Sequence, residues 1–342
     1  MHAQLNTITA PLLAWFDKNK RGLPWRRDAE PYHVWVSEIM LQQTRIEAVI
    51  RYYERFMREL PDVKSLSRVD DDRLLKLWEG LGYYSRARNL KKAAQTIMRD
   101  FGGVFPKRYA DILTLPGVGE YTAGAIASIC FNEKVPAVDG NVLRVASRVL
   151  GSRENVLLAD TKKKVAALLG ENMPDRAGAF NEALMELGET VCLPNGEPDC
   201  KACPVRQSCT AYKENLTAEI PVRVKQTKRR QEKKTVLLIT APNGKTAIEK
   251  RGGSGLLSGM YQLPNAEGYL TEAEIRMWLQ QRGLRAEGVA YIKNAKHVFT
   301  HIDWLMQGWR VTAEEPGGGF VWASEEELRE VYALPTAFQK FL

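Results

Sequence analysis

Two different patterns of apolar and polar residues divide the chain. From Pro11 to about Leu187, apolar residues recur at steps of three and four, as in SEIMLQQTRIEAVIRYYERFM, which predicts amphipathic helices. Further helices are predicted around residues 70–100, 120–130, 141–150, 161–170 and 176–189. Beyond about residue 235 the pattern changes to short β-branched and aromatic runs such as TVLLIT, TAIEKR, GVAYIK, HVFTHIDWLMQGWRV and FVWA. Helical segments near 271–282 and 324–331 lie among these runs, which indicates a smaller α/β part.

The change of pattern predicts how the chain is organised. We expect an all-α domain over 1–215 that includes the cysteine-rich loop 192–209, a linker over 216–234, and a smaller domain over 235–342. With 342 residues, the chain is long enough for two domains that each bury a core. No apolar run approaches the ~20 residues that span a bilayer, and the N-terminus lacks the order of a secretion signal. We therefore expect a cytoplasmic protein that does not interact with a membrane.

Much of the basic charge is concentrated in one segment. The formal net charge is +8, and the segment RVKQTKRRQEKK at 223–234 contains seven basic residues and one acidic residue. Such a run is typical of a solvated linker and can also contact DNA.

Four cysteines lie close together in the sequence. They follow the spacing C-x7-C-x2-C-x5-C, at positions Cys192, Cys200, Cys203 and Cys209. Because disulfides are rare in the cytosol, this cluster predicts metal ligation. Structural zinc sites more often use two separated CxxC or His-containing pairs, whereas a [4Fe–4S] cluster accepts irregularly spaced thiolates. The spacing therefore favours a [4Fe–4S] cluster over zinc.

The stretch LPGVGEYTAGA at 115–125 predicts a tight turn followed by a helix. Gly117 and Gly119 lack a Cβ, so the backbone can take left-handed dihedrals and bring its N–H groups close to a phosphate diester. A plain turn between two helices explains the same residues, because Pro-Gly pairs mark turns in many proteins.

Taken together, these motifs resemble a known family. The turn 115–121, VDGNVLRV at 138–145 and the cysteine run are similar to the helix-hairpin-helix, Gly/Pro-Asp loop and iron–sulfur arrangement of base-excision DNA glycosylases. LPWRR, VWVSEIMLQQT, WEGLGYYSRARNL and FNEALMELG narrow the resemblance to adenine DNA glycosylases of the MutY type. One departure is that the family's first cysteine interval is usually six residues, and here it is seven. The extra residue lies in a loop that can bulge outward without moving either thiolate.

The resemblance implies a multidomain fold and a substrate. The fold would be an all-α helix-hairpin-helix glycosylase domain with a [4Fe–4S] cluster, followed by a C-terminal α/β Nudix-like domain related to MutT. The expected activity is removal of adenine mispaired with 8-oxoguanine or guanine in double-stranded DNA, by a monomer acting in base excision repair. Two alternatives remain: an endonuclease III-like glycosylase with AP lyase activity, and a non-catalytic iron–sulfur module that only binds DNA.

Tyr121 separates the first alternative from the expected activity. The endonuclease III family carries a lysine at this position, and its amine can attack the sugar, form a Schiff base and support strand cleavage. A phenol cannot form an imine, so the sequence predicts a simple hydrolase of the N-glycosidic bond. Tyr121 could also be a packing residue.

Two carboxylates are candidates for the chemistry. Release of a purine needs an activated leaving group and a stabilised oxocarbenium-like sugar, which suggests two acidic groups in different environments. Glu38, expected to open a helix among apolar residues, should have a raised pKa, and by resemblance it protonates N7 of adenine. A surface glutamate that compensates a helix dipole is the alternative. Asp139 by resemblance stabilises the cationic sugar, and its place before a helix also fits an N-cap.

The resemblance also assigns binding residues. Chemistry on a stacked base requires that the base is flipped out, and Gln43 and Tyr83 are expected to insert into the stack. The adenine pocket is expected to be lined by Leu23, Trp25, Arg26 and Glu182. Further contacts to DNA are expected from Gly117, Val118, Gly119 and Asn141. Each of these residues could instead have an ordinary structural role.

In the C-terminal part, one loop is expected to read the lesion. FTH, at Phe299, Thr300 and His301, matches the family's lesion-reading loop, in which serine is the common central residue. Threonine keeps the hydroxyl and adds a methyl group. A working Nudix hydrolase needs G-x5-E-x7-R-E-x2-E-E, but Asn265 stands six residues after Gly259, so we expect no nucleotide hydrolysis.

Overall fold

The computed structural model describes residues 2–224, 229–253, 255–314 and 316–342. Positions 225–228 of the predicted basic linker therefore lie outside the described residues. Contacts between residues divide the chain into two compact units, Met1–Arg68 with Asn89–Gln226 and Val69–Arg88 with Thr227–Leu342.

Helices form the first unit, and a mixed sheet with helices forms most of the second. In chain order the described elements are α1 (His2–Asn19), α2 (Pro31–Leu41), α3 (Ile46–Glu59), α4 (Val63–Arg68), α5 (Asp71–Leu77), α6 (Ser85–Asp100), α7 (Tyr109–Ile112), α8 (Glu120–Phe131), α9 (Gly140–Leu150), α10 (Ala159–Gly170), α11 (Ala177–Thr190), α12 (Thr210–Lys213), β1 (Arg230–Thr240), β2 (Thr246–Lys250), β3 (Tyr261–Gln262), β4 (Asn265–Glu267), α13 (Glu272–Gln280), β5 (Ala286–Val298), β6 (Ile302–Ala313), β7 (Val321–Ala323), α14 (Glu325–Glu330) and α15 (Thr336–Gln339). Short 3-10 helices cover Pro24–Arg26 and Arg206–Ser208.

The predicted helices are broken at two places, and the first begins earlier than predicted. The periodic run that includes Glu38 is divided between α2 and α3, because Gln43 has a φ of 58° that a right-handed helix cannot continue. The predicted helix over 70–100 is divided between α5 and α6, where Tyr83 has a φ of 48°. Helix α1 begins at His2 and contains Pro11, so the helical region starts before the predicted position.

Packing in the first unit fixes the elements that surround the candidate site. The buried side chains of α1 and α9 share one core with those of α11. Each large apolar side chain buried there contributes about 1.5–3 kcal/mol relative to exposure. Helix α8 approaches the loop before α9 closely, since a Cβ added at Gly124 would lie 2.4 Å from the carbonyl oxygen of Pro136. This close approach holds the start of α8 beside the residues that begin α9.

The second unit contains a seven-stranded sheet with the order β3-β2-β1-β6-β5, in which β4 also pairs with β1 and β7 with β2. Strands β1 and β6 run parallel over eleven residue pairs, from Arg230 opposite Ile302 to Thr240 opposite Thr312. Strands β5 and β6 form an antiparallel hairpin with two register shifts. The single predicted run at 297–311 is thus the end of one strand, a turn and most of the next strand.

The segment Val69–Arg88 groups with the second unit although it lies early in the chain. The ammonium of Lys76 is 3.1 Å from the carbonyl oxygens of Leu328 and Tyr332, at the end of α14. A carboxylate oxygen of Glu79 accepts a hydrogen bond from the backbone N–H of Leu334 at 2.8 Å. These polar contacts satisfy backbone groups that would otherwise lack partners at the end of a helix. Among the described residues, no helix is both long enough and apolar enough to cross a membrane.

Candidate active site

A cavity of about 1230 Å³ in the first unit brings many of the predicted site residues together. Its walls come from the loop before α2, from α2, and from the starts of α8 and α9, with α11 on one side. The predicted residues that line it are Leu23, Trp25, Arg26, Glu38, Gln43, Gly119, Tyr121, Asp139, Asn141 and Glu182. Gly117 and Val118 do not line this cavity, and Tyr83 with the FTH residues belongs to the second unit.

Glu38 lies in the last turn of α2, not at its start as the sequence pattern predicts. The helix begins at Pro31, whose fixed φ suits a first helical position, so Glu38 follows a full two turns later. All residues from Val34 to Met40 are buried, and Glu38 is only 6% exposed. Near the C-terminal end of a helix, the helix dipole disfavours an anion rather than stabilising it. The surface-residue alternative for Glu38 is therefore wrong.

The phenol of Tyr121 is the direct partner of this carboxyl group. The O–H of Tyr121 donates a hydrogen bond to Glu38 Oε2 at 2.5 Å. The phenol oxygen of Tyr121 also lies 3.3 Å from the sulfur of Met185. Tyr121 occupies the second position of α8, directly after the turn that ends at Gly119. Burial beside Glu38 raises the pKa of Tyr121 well above its ordinary value, so the phenol stays a donor.

Burial raises the pKa of Glu38 to about 7, as the sequence predicts in direction. The hydrogen bond from Tyr121 opposes this shift, whereas the nearby carboxylates of Asp139 and Glu182 add to it. Arg26 has a smaller opposing effect. The carboxyl of Glu38 can therefore hold a proton near neutral pH.

Asp139 is the N-cap of α9, as the alternative interpretation of its position predicts. Its Oδ1 accepts from the N–H of Val142 at 2.7 Å, and its Oδ2 accepts from the side-chain amide of Asn141 at 2.9 Å. Burial raises the pKa of Asp139, and these two hydrogen bonds oppose the shift. The cap fixes the orientation of the carboxylate at the cavity wall.

Arg26 and Glu182 form an ion pair at the cavity. Arg26 Nε lies 2.8 Å from Glu182 Oε1, and the two side chains are 16% and 19% exposed. Leu23 and Trp25, from the same loop as Arg26, are buried. The ring of Trp25 packs edge-on against Tyr53 at 5.3 Å. The loop therefore presents apolar side chains to the cavity beside the guanidinium of Arg26.

The hairpin turn differs from the prediction in its backbone. Gly117 has a φ of 76°, which favours glycine, but Gly119 has an extended φ of −102°. A Cβ at Gly117 would lie 2.5 Å from the Cβ of Asn89, whereas a Cβ at Gly119 would meet no atom within 4 Å. The N–H of Val118 already donates to the carbonyl of Leu115 at 3.1 Å. The backbone donors still proposed for a phosphate are those of Gly117 and Gly119.

The two residues expected to insert into DNA share an uncommon backbone conformation. Gln43 and Tyr83 both have positive φ, at 58° and 48°, and both are exposed. Non-glycine residues in this region are uncommon and are enriched at functional sites, where surrounding contacts stabilise them. Beside Gln43, the side chain of Gln42 donates to the hydroxyl of Thr122 at 3.4 Å.

In the second unit, Tyr83 contacts the predicted lesion-reading turn. Its hydroxyl lies 2.8 Å from the hydroxyl of Thr300, and the guanidinium of Arg86 lies 5.6 Å from its ring centre. The residues Phe299, Thr300 and His301 form the turn between β5 and β6. Thr300 and His301 are exposed, whereas Phe299 is half-buried and packs on the ring of Trp304 at 4.8 Å.

The four clustered cysteines line one cavity beside α9, and none of the five cysteines, each a described residue, forms a disulfide. Two arginines of α9 hold the first of them. Arg148 Nη1 lies 3.2 Å from the sulfur of Cys192, and Arg144 Nε donates to the carbonyl of Cys192 at 2.7 Å. No three His, Cys, Asp or Glu side chains within the described ranges are arranged to hold a metal ion.

Several polar residues of the cavity wall are not among the residues predicted from the sequence, for example Arg21 and Glu186. Glu186 lies four residues after Glu182 in the quoted motif FNEALMELG, so helical spacing could have placed both on one face of α11. Arg21 stands in a loop, where periodicity gives no signal.

Two family models match the chain. The HhH-GPD superfamily of base excision DNA repair proteins matches residues 36–175, and the NUDIX domain matches residues 235–342. These matches confirm the predicted helix-hairpin-helix glycosylase fold and the predicted Nudix-like C-terminal part.

Similar proteins cover most of the sequence. The adenine DNA glycosylase of Arabidopsis thaliana is 38% identical over 300 residues, which cover 75% of this chain but only 47% of that protein. The adenine DNA glycosylase of Buchnera aphidicola subsp. Baizongia pistaciae is 33% identical over 297 residues, covering 85% of this chain and 82% of that protein. A solved structure of a thermostable thymine-DNA glycosylase, 27% identical, superposes with a TM-score of 0.57 over 62% of this chain and 98% of its own. The chain belongs to the adenine DNA glycosylase family.

Proposed function

We propose that the protein removes adenine mispaired with 8-oxoguanine or guanine from double-stranded DNA by hydrolysis, as a monomer. The observation that carries the proposal is the buried carboxyl of Glu38, hydrogen-bonded to Tyr121 and able to hold a proton near neutral pH. The names of the relatives support adenine as the released base. The helical domain, proposed as residues 1–215, would carry out the chemistry, and residues 235–342, after the linker 216–234, would recognise the lesion.

In the proposed reaction, Glu38 is the general acid. A flipped adenine enters the cavity between the loop with Leu23 and Trp25 and the Glu38–Tyr121 pair. Glu38 gives its proton to N7, so the C1′–N9 bond breaks with its electron pair moving into a neutral purine. The ionised Glu38 then accepts a proton from the water that adds to C1′, which restores the acid and leaves an abasic sugar.

Asp139 would stabilise the cationic sugar. Its carboxylate is fixed by the cap of α9, so it needs no reorganisation when positive charge develops at C1′. Tyr121 cannot form a Schiff base, so the strand should remain intact after base release. This supports the hydrolase over the lyase alternative.

The four cysteines fit a [4Fe–4S] cluster, which we propose as the cofactor. A [4Fe–4S] cluster would take one thiolate at each of its four irons, so its ligands would surround a cavity instead of meeting at one point. The side chains of Cys192, Cys200, Cys203 and Cys209 line such a cavity. When bound, the cluster would link four points of the loop 192–209 and so order it beside α9.

Glu38 makes the reaction dependent on pH. Since only the protonated acid is active, single-turnover adenine release should fall about tenfold per pH unit above about 7.

The Glu38→Gln variant should lose on the order of 10²- to 10⁴-fold in the rate of adenine release. The variant should also unfold at a higher temperature than the wild type at pH 8, because the wild type then buries an ionised carboxyl, and this difference should narrow from pH 7 towards 4.5. A variant that releases adenine at the wild-type rate would contradict the proposal.

Asp139→Asn separates catalysis from binding. We expect normal affinity for a duplex with an A:8-oxoguanine mispair but a loss of on the order of 10²- to 10⁴-fold in adenine release. Free adenine and strand breaks would be measured with and without alkali. Asp160→Asn, at the exposed start of α10, is the matched control and should keep full activity. Strand breaks without alkali would support the lyase, and duplex binding without base release by the wild type would support the binding module.

Thr300 should contribute to the preference for the lesion. Thr300→Val keeps the shape but removes the hydroxyl, so the ratio of rates on A:8-oxoguanine and A:G duplexes should fall roughly fivefold, as expected for one lost hydrogen bond. Thr300→Ser should retain the ratio. Point variants are preferable to deletion of 235–342, because the deletion would also remove the contacts of Lys76 and Glu79. If Thr300→Val leaves the ratio of the two rates unchanged, the Thr300 hydroxyl does not contribute to the preference for the lesion.

The cluster predicts an optical signature. The purified protein should be brown, absorb near ~400 nm and contain iron and sulfide. Cys203→Ser should lose this absorbance, whereas Cys130→Ser, outside the cysteine loop, should retain it. A colourless wild-type protein that contains zinc would contradict the assignment.

A further inference from the structure

Glu186 is a buried carboxylate at the cavity wall that the proposed reaction does not use. Its side chain is 1% exposed, and it lies one helical turn after Glu182 on α11. Burying a charge is costly unless it is paired and hydrogen-bonded. The hydrogen-bond partners of Glu186 therefore indicate the role of its charge.

Both oxygens of Glu186 are occupied by arginine donors. Oε1 accepts from the backbone N–H and from Nε of Arg21, at 3.3 and 2.6 Å. Oε2 accepts from Nη2 of Arg21 at 3.1 Å and from Nη1 of Arg26 at 2.9 Å. Although burial opposes it, these hydrogen bonds and the two positive charges lower the pKa of Glu186, so it is ionised at neutral pH.

Arg26 connects Glu186 to Glu182. Its Nη1 is bound by Glu186 and lies 3.3 Å from the carbonyl of Arg21, while its Nε donates to Glu182 Oε1 at 2.8 Å. A guanidinium is planar and rigid, so fixing Nη1 also fixes the direction of Nε. The carboxylate of Glu182 is thereby held in one orientation at the cavity wall.

We infer that Glu186 is a positioning residue that sets selectivity for the 6-amino group of the base, acting through Arg26 and Glu182. The inference rests on the proposed function. Glu182 can accept a hydrogen bond from an exocyclic amino group, and a purine without that group leaves the acceptor unpaired. Glu186 also ties the backbone of Arg21, so it anchors the start of the loop that carries Leu23 and Trp25.

The test compares release of adenine and of unsubstituted purine, each opposite 8-oxoguanine, under single-turnover conditions. Glu186→Gln should lower adenine release on the order of 10- to 100-fold, as expected for a misplaced contact. Purine release should fall less, so the adenine-to-purine ratio should narrow while duplex affinity is unchanged. Asp17→Asn is the matched control, since it removes an exposed ion pair with Arg176 at 2.7 Å, and it should change neither rate nor ratio.

A double-mutant cycle identifies the route of the effect. If Glu186 acts through Arg26, adding Glu186→Gln to Arg26→Gln should cause little further loss. Additive losses, or a lower rate with an unchanged adenine-to-purine ratio, would overturn the inference and leave Glu186 as an ordinary buried ion pair.

A further variant covers the case in which Glu186→Gln does not fold. Arg26→Lys has one compact ammonium that cannot bind Glu182 and Glu186 in the geometry of a guanidinium. We expect Arg26→Lys to narrow the adenine-to-purine ratio of release rates as Glu186→Gln does, and an unchanged ratio would overturn the inference. Wild-type protein that releases neither base would contradict the proposed function instead.

Discussion

The first unit is organised around a carboxyl group kept away from water. Glu38 lies in the last turn of a helix whose neighbouring residues are all buried, so ionisation is opposed by both solvent exclusion and the helix dipole. The phenol of Tyr121 donates a hydrogen bond that partly offsets this cost, and Arg26 has a smaller effect in the same direction. The donor can reach Glu38 because α8 begins directly after the hairpin turn, and Gly124 lets α8 lie close to the loop before Asp139. The tight turn, the glycine and the cap of α9 thus serve one geometry.

The hydrogen-bond donors explain why the pKa values of neighbouring carboxyl groups shift in opposite directions. Glu186 accepts from two arginines and has a lowered pKa although its side chain is buried. Glu38 has one neutral donor, and its pKa is raised to about 7. Asp139 and Glu182 have raised pKa values because burial outweighs their own partners. A single cavity therefore holds an acid that can give a proton and an anion that keeps the cations in place.

The sequence was sufficient for features that depend on local pattern. Periodicity predicted the helical part, β-branched and aromatic runs predicted the later strands, and the position of Asp139 before a helix correctly allowed a cap. It failed where tertiary contacts choose the backbone. The break at Gln43 carries no glycine or proline at the residue itself, so periodicity gives no signal there. The break before Tyr83 does contain Gly80 and Gly82, both left-handed, and these glycines are a local signal that the helical prediction over 70–100 did not use. The apolar neighbours of Glu38 indicate a helix but do not mark its first residue, whereas the helix in fact begins at Pro31. The grouping of Val69–Arg88 with the second unit depends on contacts to residues about 250 positions away, as between Lys76 and Leu328.

Gln43 and Tyr83 share a left-handed backbone in the two segments that divide the predicted helices. Both side chains are exposed there. A left-handed backbone costs about 1–2 kcal/mol for each non-glycine residue that adopts it. The cost must be offset by contacts nearby. At Tyr83 the hydroxyl of Thr300 and the guanidinium of Arg86 supply them. Since these contacts are polar and partly exposed, breaking them would not leave a buried group unpaired.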